Sequence, residues 1–204
     1  VQRCDTPFRV QQWLYSLPYN PERNGESLKG FRGVVKSGKA HCLEAALSAA
    51  TILEQHGYPL LLLDIESQDK LDHVLFLYRH QGKWGTVGKS RDPGLHGRRP
   101  HFSSVKELVA SYRDPFVDYG GRIIGYGVGK LDDLAGYDWR FSKRNAWKVQ
   151  QYLIDMPHSK FRMTDRRYAE YYERYVAFRK RFPKRKPTYY EGRKSWIPGY
   201  PKGK

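Results

Sequence analysis

Gly38-Lys39-Ala40-His41-Cys42-Leu43-Glu44-Ala45-Ala46-Leu47 carries a loop into a helix and sets a cysteine at the junction. Leu43, Ala46, Leu47, Ala50 and Leu53 recur at spacings of three and four, an apolar stripe of helical period. Gly57 follows the last periodic residue, where a helix-ending glycine belongs. Cys42 therefore falls in or just before the first turn. Free backbone N–H groups and the positive end of the helix dipole favour a thiolate there. An inert, buried thiol is the competing reading, because free cysteine is among the most buried residue types. A nucleophile needs a base within reach and a group that orients the base.

The residues after this helix supply candidates for both. Tyr58 to Ile65 is short and continuously apolar, the pattern of a central strand buried on both faces. Leu71–Arg79 and Lys83–Ser90 read as two further strands, and His80-Gln81-Gly82 between them as a tight hairpin. A two-residue turn at Gln81-Gly82 makes paired positions sum to 163, which sets His73 opposite Ser90. Asp92, two residues on, points to the same face, within diagonal reach of His73. An imidazole with a carboxylate to fix its tautomer is the base half of a triad. Ser90 is the other candidate partner of His73, with Asp92 then only a turn residue before Pro93. Asp72 is adjacent to His73 and so faces away from it.

Residues 38–95, with a cysteine at a helix start, a histidine early in a later strand and an aspartate after the next strand, resemble the core of the transglutaminase-like superfamily. That superfamily is a branch of the papain-like cysteine fold. The resemblance rests on Ala40-His41-Cys42-Leu43-Glu44, Asp72-His73-Val74 and Arg91-Asp92-Pro93. It implies an α+β fold in which the cysteine helix packs on a small antiparallel sheet. It implies acyl transfer through a thioester, with Cys42 as nucleophile, His73 as base and Asp92 as its orienter. The Cys42 N–H would donate to the oxyanion. A second donor would come from an upstream side chain, with Gln11, Gln12 and Trp13 as the candidates. A peptide or protein amide is the expected substrate; water as acceptor makes a hydrolase, an amine a transferase. The chain departs from the family in carrying Lys39-Ala40-His41 where many members have aromatic or glycine-rich residues. It is also far shorter than the animal-type members that bind calcium.

Composition frames the rest. The chain has 204 residues and a formal net charge of +16. Residues 1–135 hold 18 Lys and Arg against 15 Asp and Glu, whereas residues 136–204 hold 19 against 6. The basic character thus belongs to the last third and points to an acidic partner there. The expected organisation is a catalytic core over 1–135, a basic helical extension over 136–182 packed on it, and a basic Pro/Gly/aromatic tail over 183–204. Ser104 to Glu107 reads as a capping box for a helix over 104–113. Trp139–Ser142 leads into a helix bearing Ala146, Val149, Leu153 and Met156. Thr164 caps a longer one whose Tyr168, Tyr171, Tyr172, Tyr175, Phe178 and Phe182 are expected to pack on the core. Residues 179–204 interleave basic and aromatic side chains, which suits nucleic acid or another acidic partner. Phe31–Val35 reads as a short strand or loop.

No run of about 18 apolar residues marks a membrane span. No leader pattern stands at Val1–Asp5, so a cytoplasmic setting is the default expectation. Whether Cys4 and Cys42 pair is open. No P-loop, dinucleotide fingerprint or zinc-ribbon spacing occurs, and His96 with His101 lacks further ligands, so neither cofactor nor metal is expected.

Overall fold

Backbone pairing along one central sheet orders the chain. The computed structural model describes residues 4–23, 25–117, 121–142, 145–185 and 199–200. In sequence the elements are α1 (Pro7–Ser16), α2 (Phe31–Ser37), α3 (Cys42–Leu53), β1 (Leu61–Ser67), β2 (His73–His80), β3 (Lys83–Val87), α4 (Val105–Ala110), α5 (Arg113–Val117), β4 (Ile123–Lys130), α6 (Trp147–Asp155), β5 (Ser159–Lys160) and α7 (Asp165–Arg181). The strands form a five-stranded sheet of order β3-β2-β1-β4-β5, with every neighbour antiparallel. The protein is therefore α+β, with the cysteine helix lying on a small antiparallel sheet.

The apolar runs in β1 and β2 are explained by helices on both faces. Leu62, Val74, Phe76 and Tyr78 join one buried cluster with Leu43, Ala46, Leu47 and Ala50 of α3. Leu63, Ile65, Leu75 and Leu77 join the other, with Leu108, Val109 and Tyr112 from α4 and its C-terminal turn and Phe116 of α5. The first cluster also takes Trp139, Ala146, Val149, Leu153 and Met156, so residues 139–156 share the core of the cysteine helix. Tyr200 enters it as well. Its ring is buried beside Tyr78, whose hydroxyl bonds its own, and its carbonyl accepts from Tyr15.

The β2–β3 register follows the hairpin arithmetic: Phe76↔Val87 through His80↔Lys83 all sum to 163. Gln81 and Gly82 both take positive φ, +48° and +75°, the mirror-image turn that matches strand twist. The third strand stops at Val87 rather than Ser90 because Gln11 intervenes. Its side-chain amide takes the Gly88 N–H and carbonyl, both at 2.9 Å, in place of a ladder partner. β1 begins at Leu61 rather than Tyr58, since Pro59 has no N–H for a ladder. Phe31–Ser37 is a helix, not a strand, and Gly38 closes it in the left-handed region at φ +63°. The helix expected over 104–113 is two short ones, α4 and α5.

α7 departs most from expectation. Thr164 caps it as read, accepting from Arg167 N. None of its residues is buried, however, so its aromatic stripe does not pack into either core. Tyr168 and Tyr172 instead stack on each other, centroids 5.9 Å apart. Polar and charged positions on every side leave α7 no wholly apolar face to bury. The tail from 186 to 198 and 201 to 204 lies outside the described residues. No helix among the described residues is long and apolar enough to cross a membrane.

Leu47 is fully buried between α3 and the sheet. Leu47→Ala is expected to lower unfolding free energy by about 2–5 kcal/mol, read as a lower urea midpoint at unchanged slope.

Candidate active site

Cys42 is the first residue of α3 and is half-buried. Both cysteines are free. The helix start is held by Glu44, a fully buried carboxylate on the first turn. It accepts from His41 N at 3.1 Å, Lys29 N at 3.1 Å, Ser27 Oγ at 3.0 Å and Asn20 Nδ2 at 3.1 Å, and pairs with Lys29 Nζ at 2.8 Å. Burial alone would raise its pKa; the charge of His41 and the bonds from Lys29 bring it below the ordinary carboxylate range. One side chain thus ties residues 20, 27 and 29 to the turn that presents the thiol. The Pro18–Asn20 strand segment runs beside the same loop, with Asn20 N bonded to Ala40 O at 3.1 Å. This brings Tyr19 alongside Cys42.

Two histidines meet the sulfur. Burial by itself would push the Cys42 thiol up. Side-chain hydrogen bonds with His41 and His73, and the charges of both, more than offset this and leave it at about 5. His41 precedes the cysteine and is buried, its Nε2 donating to Ser27 O at 2.7 Å. Burial would lower its pKa, but the bond and charge of Cys42, then Glu44 and Ser27, raise it to about 9. At neutral pH the pair is a thiolate beside an imidazolium, in a setting where their attraction is strong. Sequence reasoning passed over His41 as a departure from the family pattern. Its adjacency to Cys42 at a helix N-cap was the available signal.

His73 opens β2, as expected, and reaches Cys42 from the sheet. Its orienter is a backbone group. Nε2 donates to Leu95 O at 2.7 Å, which leaves Nδ1 free of its own proton in the neutral ring. Asp92 is buried and caps the turn Pro93–Leu95 that presents this carbonyl, its Oδ1 accepting from Gly94 N. Arg98, fully buried, braces the same turn through Gly94 O at 2.6 Å and His96 O at 2.8 Å, over the face of Tyr112. The Asp92 charge acts on that guanidinium. Asp92 thus supports the turn whose Leu95 carbonyl holds His73. Ser90 serves the loop too, its carbonyl accepting from His96 Nε2 at 3.0 Å and its hydroxyl from Asp92 N. Burial pushes His96 down to about 3, so it is neutral.

Gln11 is not an oxyanion donor, because both ends of its amide are on Gly88. Tyr19 is the upstream side chain that shares the hollows at Cys42. It lines both hollows that meet at Cys42, one of about 120 Å³ with His73, Ser90 and Leu95, the other of about 440 Å³ with His41, Asp64 and Trp147. Burial first, then the Cys42 charge, raise the Tyr19 hydroxyl above its ordinary pKa and keep it a neutral donor. Across the larger hollow Asp64 is buried, with Oδ2 3.2 Å from His158 Nε2. Burial, then Asp72, raise Asp64 to about 7 against the opposing pull of His158.

No protein-family model matches the chain, and no curated protein matches it in sequence.

The titration of the thiol separates the two histidines. Thiolate absorbance of the wild type is expected to appear with a midpoint near pH 5, and iodoacetamide labelling of Cys42 to be flat from there to neutral pH. His41→Gln and His73→Ala should each move the midpoint up toward the free-thiol value of about 8.5. An unmoved midpoint in either variant would remove that histidine from the ion pair. Asp92 is tested by Asp92→Asn, which keeps an oxygen for Gly94 N. It should leave labelling within about tenfold of wild type, whereas removing a triad carboxylate's charge costs about 10⁴ in turnover.

Proposed function

We propose that the chain is a cysteine-dependent enzyme of the transglutaminase-like kind, on a papain-like core, that cleaves or transfers an amide acyl group through a thioester. The observation that carries this is the half-buried Cys42 sulfur at a helix N-terminus with His41 and His73 both beside it. The thiolate attacks the amide carbonyl carbon, and the carbonyl electrons move to oxygen. The Cys42 N–H, unpaired within the helix at its first position, donates to that oxyanion, and the Tyr19 hydroxyl is the second donor. His73 holds the proton given up by the thiol; as the tetrahedral species collapses the C–N bond breaks, and His73 passes that proton to the departing amine. Water or a second amine then attacks the thioester, His73 takes its proton, and the thiolate is released.

His73 moves the proton because its Leu95 bond fixes one tautomer and leaves the other nitrogen free to take it. His41 holds charge: its Nε2 stays on Ser27 O, and the Cys42 thiolate first, then Glu44, keep it protonated. The working window follows from the two shifts. Activity rises as the thiolate forms near pH 5 and falls as His41 loses its proton near pH 9.

The test is incubation with glutamine-containing peptides, with and without a fluorescent primary amine. Incorporated label means transfer; released ammonia or peptide without label means hydrolysis. Intact-mass analysis should trap a thioester on Cys42. Cys42→Ala should abolish both products, His73→Ala should lose turnover and Tyr19→Phe should lower kcat by about 10²–10³. A wild-type enzyme that forms no adduct and releases nothing, although its thiol titrates near pH 5, would overturn the catalytic reading.

A further inference from the structure

The cavity at the start of α7 has no part in the thiol chemistry. It holds about 280 Å³ and is lined by Arg113, Arg162, Arg166 and Arg167, with Glu170, Thr164 and Met163. The four arginines come from three segments: Arg113 from α5, Arg162 from the link after β5, Arg166 and Arg167 from the first turn of α7. Among the described residues the cluster has one carboxylate, Glu170, 3.6 Å from Arg166 Nε. Asp165, the other acid of that turn, is turned to Arg122 at 2.6 Å.

This arrangement works against folding. Cations in a first helical turn oppose the helix dipole, and four guanidiniums round one hollow repel each other. Arg113 shows the cost. Burial, then the charge of Arg167, lower its pKa. Its guanidinium lies 4.5 Å over the Phe161 ring, and its Nε is buried with no acceptor. An oxyanion with several acceptor atoms would satisfy that donor and relieve the repulsion together. Phosphate has that geometry, and arginine forks match it.

The helix beyond the cavity names the rest of the ligand. Of Tyr168, Tyr171, Tyr172 and Tyr175, Tyr172 is exposed and the other three are half-buried, Tyr168 beneath the Arg122 guanidinium at 4.8 Å. Tyr172 is 46% exposed, six residues and about 9 Å along the axis from Arg166. An exposed ring on the same helix as a phosphate site can stack on an unpaired base of the strand held there, which a duplex hides and a sulfated sugar or lipid headgroup lacks.

We propose that the arginine cavity and the exposed Tyr172 ring of α7 form a binding site for single-stranded nucleic acid, with backbone phosphate in the cavity and a base of the same strand on the ring. The footprint precedes the basic residues 179–204 that composition singles out. It is independent of the Cys42 chemistry, so Cys42→Ala should bind as wild type does.

Anisotropy of a labelled single-stranded oligothymidylate with the full chain tests this. Arg162→Ala/Arg167→Ala should weaken binding at least tenfold. It should also flatten the slope of log affinity against log salt by about 1.4, two phosphates at about 0.7 each. A charge-matched control at exposed sites far along the chain, Lys36→Ala/Lys106→Ala, should stay within about twofold. Tyr172→Ala should weaken the oligothymidylate about fivefold or more, and leave heparin binding unchanged. Equal losses in both double variants would overturn the site in favour of bulk charge. Duplex or heparin bound as tightly as the single strand, with Tyr172→Ala silent, would overturn the ligand. The arginine, lysine and Tyr172 variants lie on exposed side chains, and matching thermal melts confirm that folding is retained.

Discussion

The carboxylate of Glu44 is the interaction on which the site depends. It is buried, and a buried charge is tolerated only where partners replace its water. Its partners come from residues 20 to 41, a stretch with few apolar side chains of its own to fix it. Without that centre, nothing comparable would hold Ser27 O against His41 or bring Tyr19 to the thiol. Glu44 also accepts from the His41 N–H, one of the donors a helix start leaves open. The same contact that caps the helix thus sets the imidazole beside the sulfur.

The second half of the site is built from the opposite direction. His73 is delivered by the sheet, whose register a two-residue turn fixes. Its orienting group is delivered by a loop, and the loop is braced from within. Gln11 ends β3 at Gly88, Asp92 caps the turn, and Arg98 takes two of its carbonyls. A backbone carbonyl can orient an imidazole as a carboxylate does, provided the turn that carries it is rigid. The buried Asp92 and Arg98 supply that rigidity and keep their own charges opposed.

The two halves of the molecule therefore differ in kind. Around Cys42, charges are buried and matched, and the polar groups hold one another in place. Around α7, charges and the Tyr172 ring are left outward, and like charges gather at one hollow. The first arrangement suits a preorganised reaction centre. The second gains stability only when something of opposite sign arrives.

Much of this was legible without coordinates. The period of three and four in Leu43–Leu53 gave the helix, the run before Ile65 gave a strand buried on both faces, and Gln81-Gly82 gave the register. These are local properties, set by backbone geometry and by which side chains water rejects. Cys42 and His73 could be placed from them. What the tertiary structure decided was pairing between groups far apart in sequence. Gln11 with Gly88, Glu44 with Asn20 and His73 with the Leu95 carbonyl leave no periodic trace, because a hydrogen bond to a backbone group needs no particular residue type. The capping of the Pro93–Leu95 turn by Asp92, which holds the carbonyl on His73, shows only in the structure for the same reason. The aromatic stripe of α7 misled for the converse reason. Helical spacing shows which residues share a face, but only the neighbouring chain decides whether that face is covered.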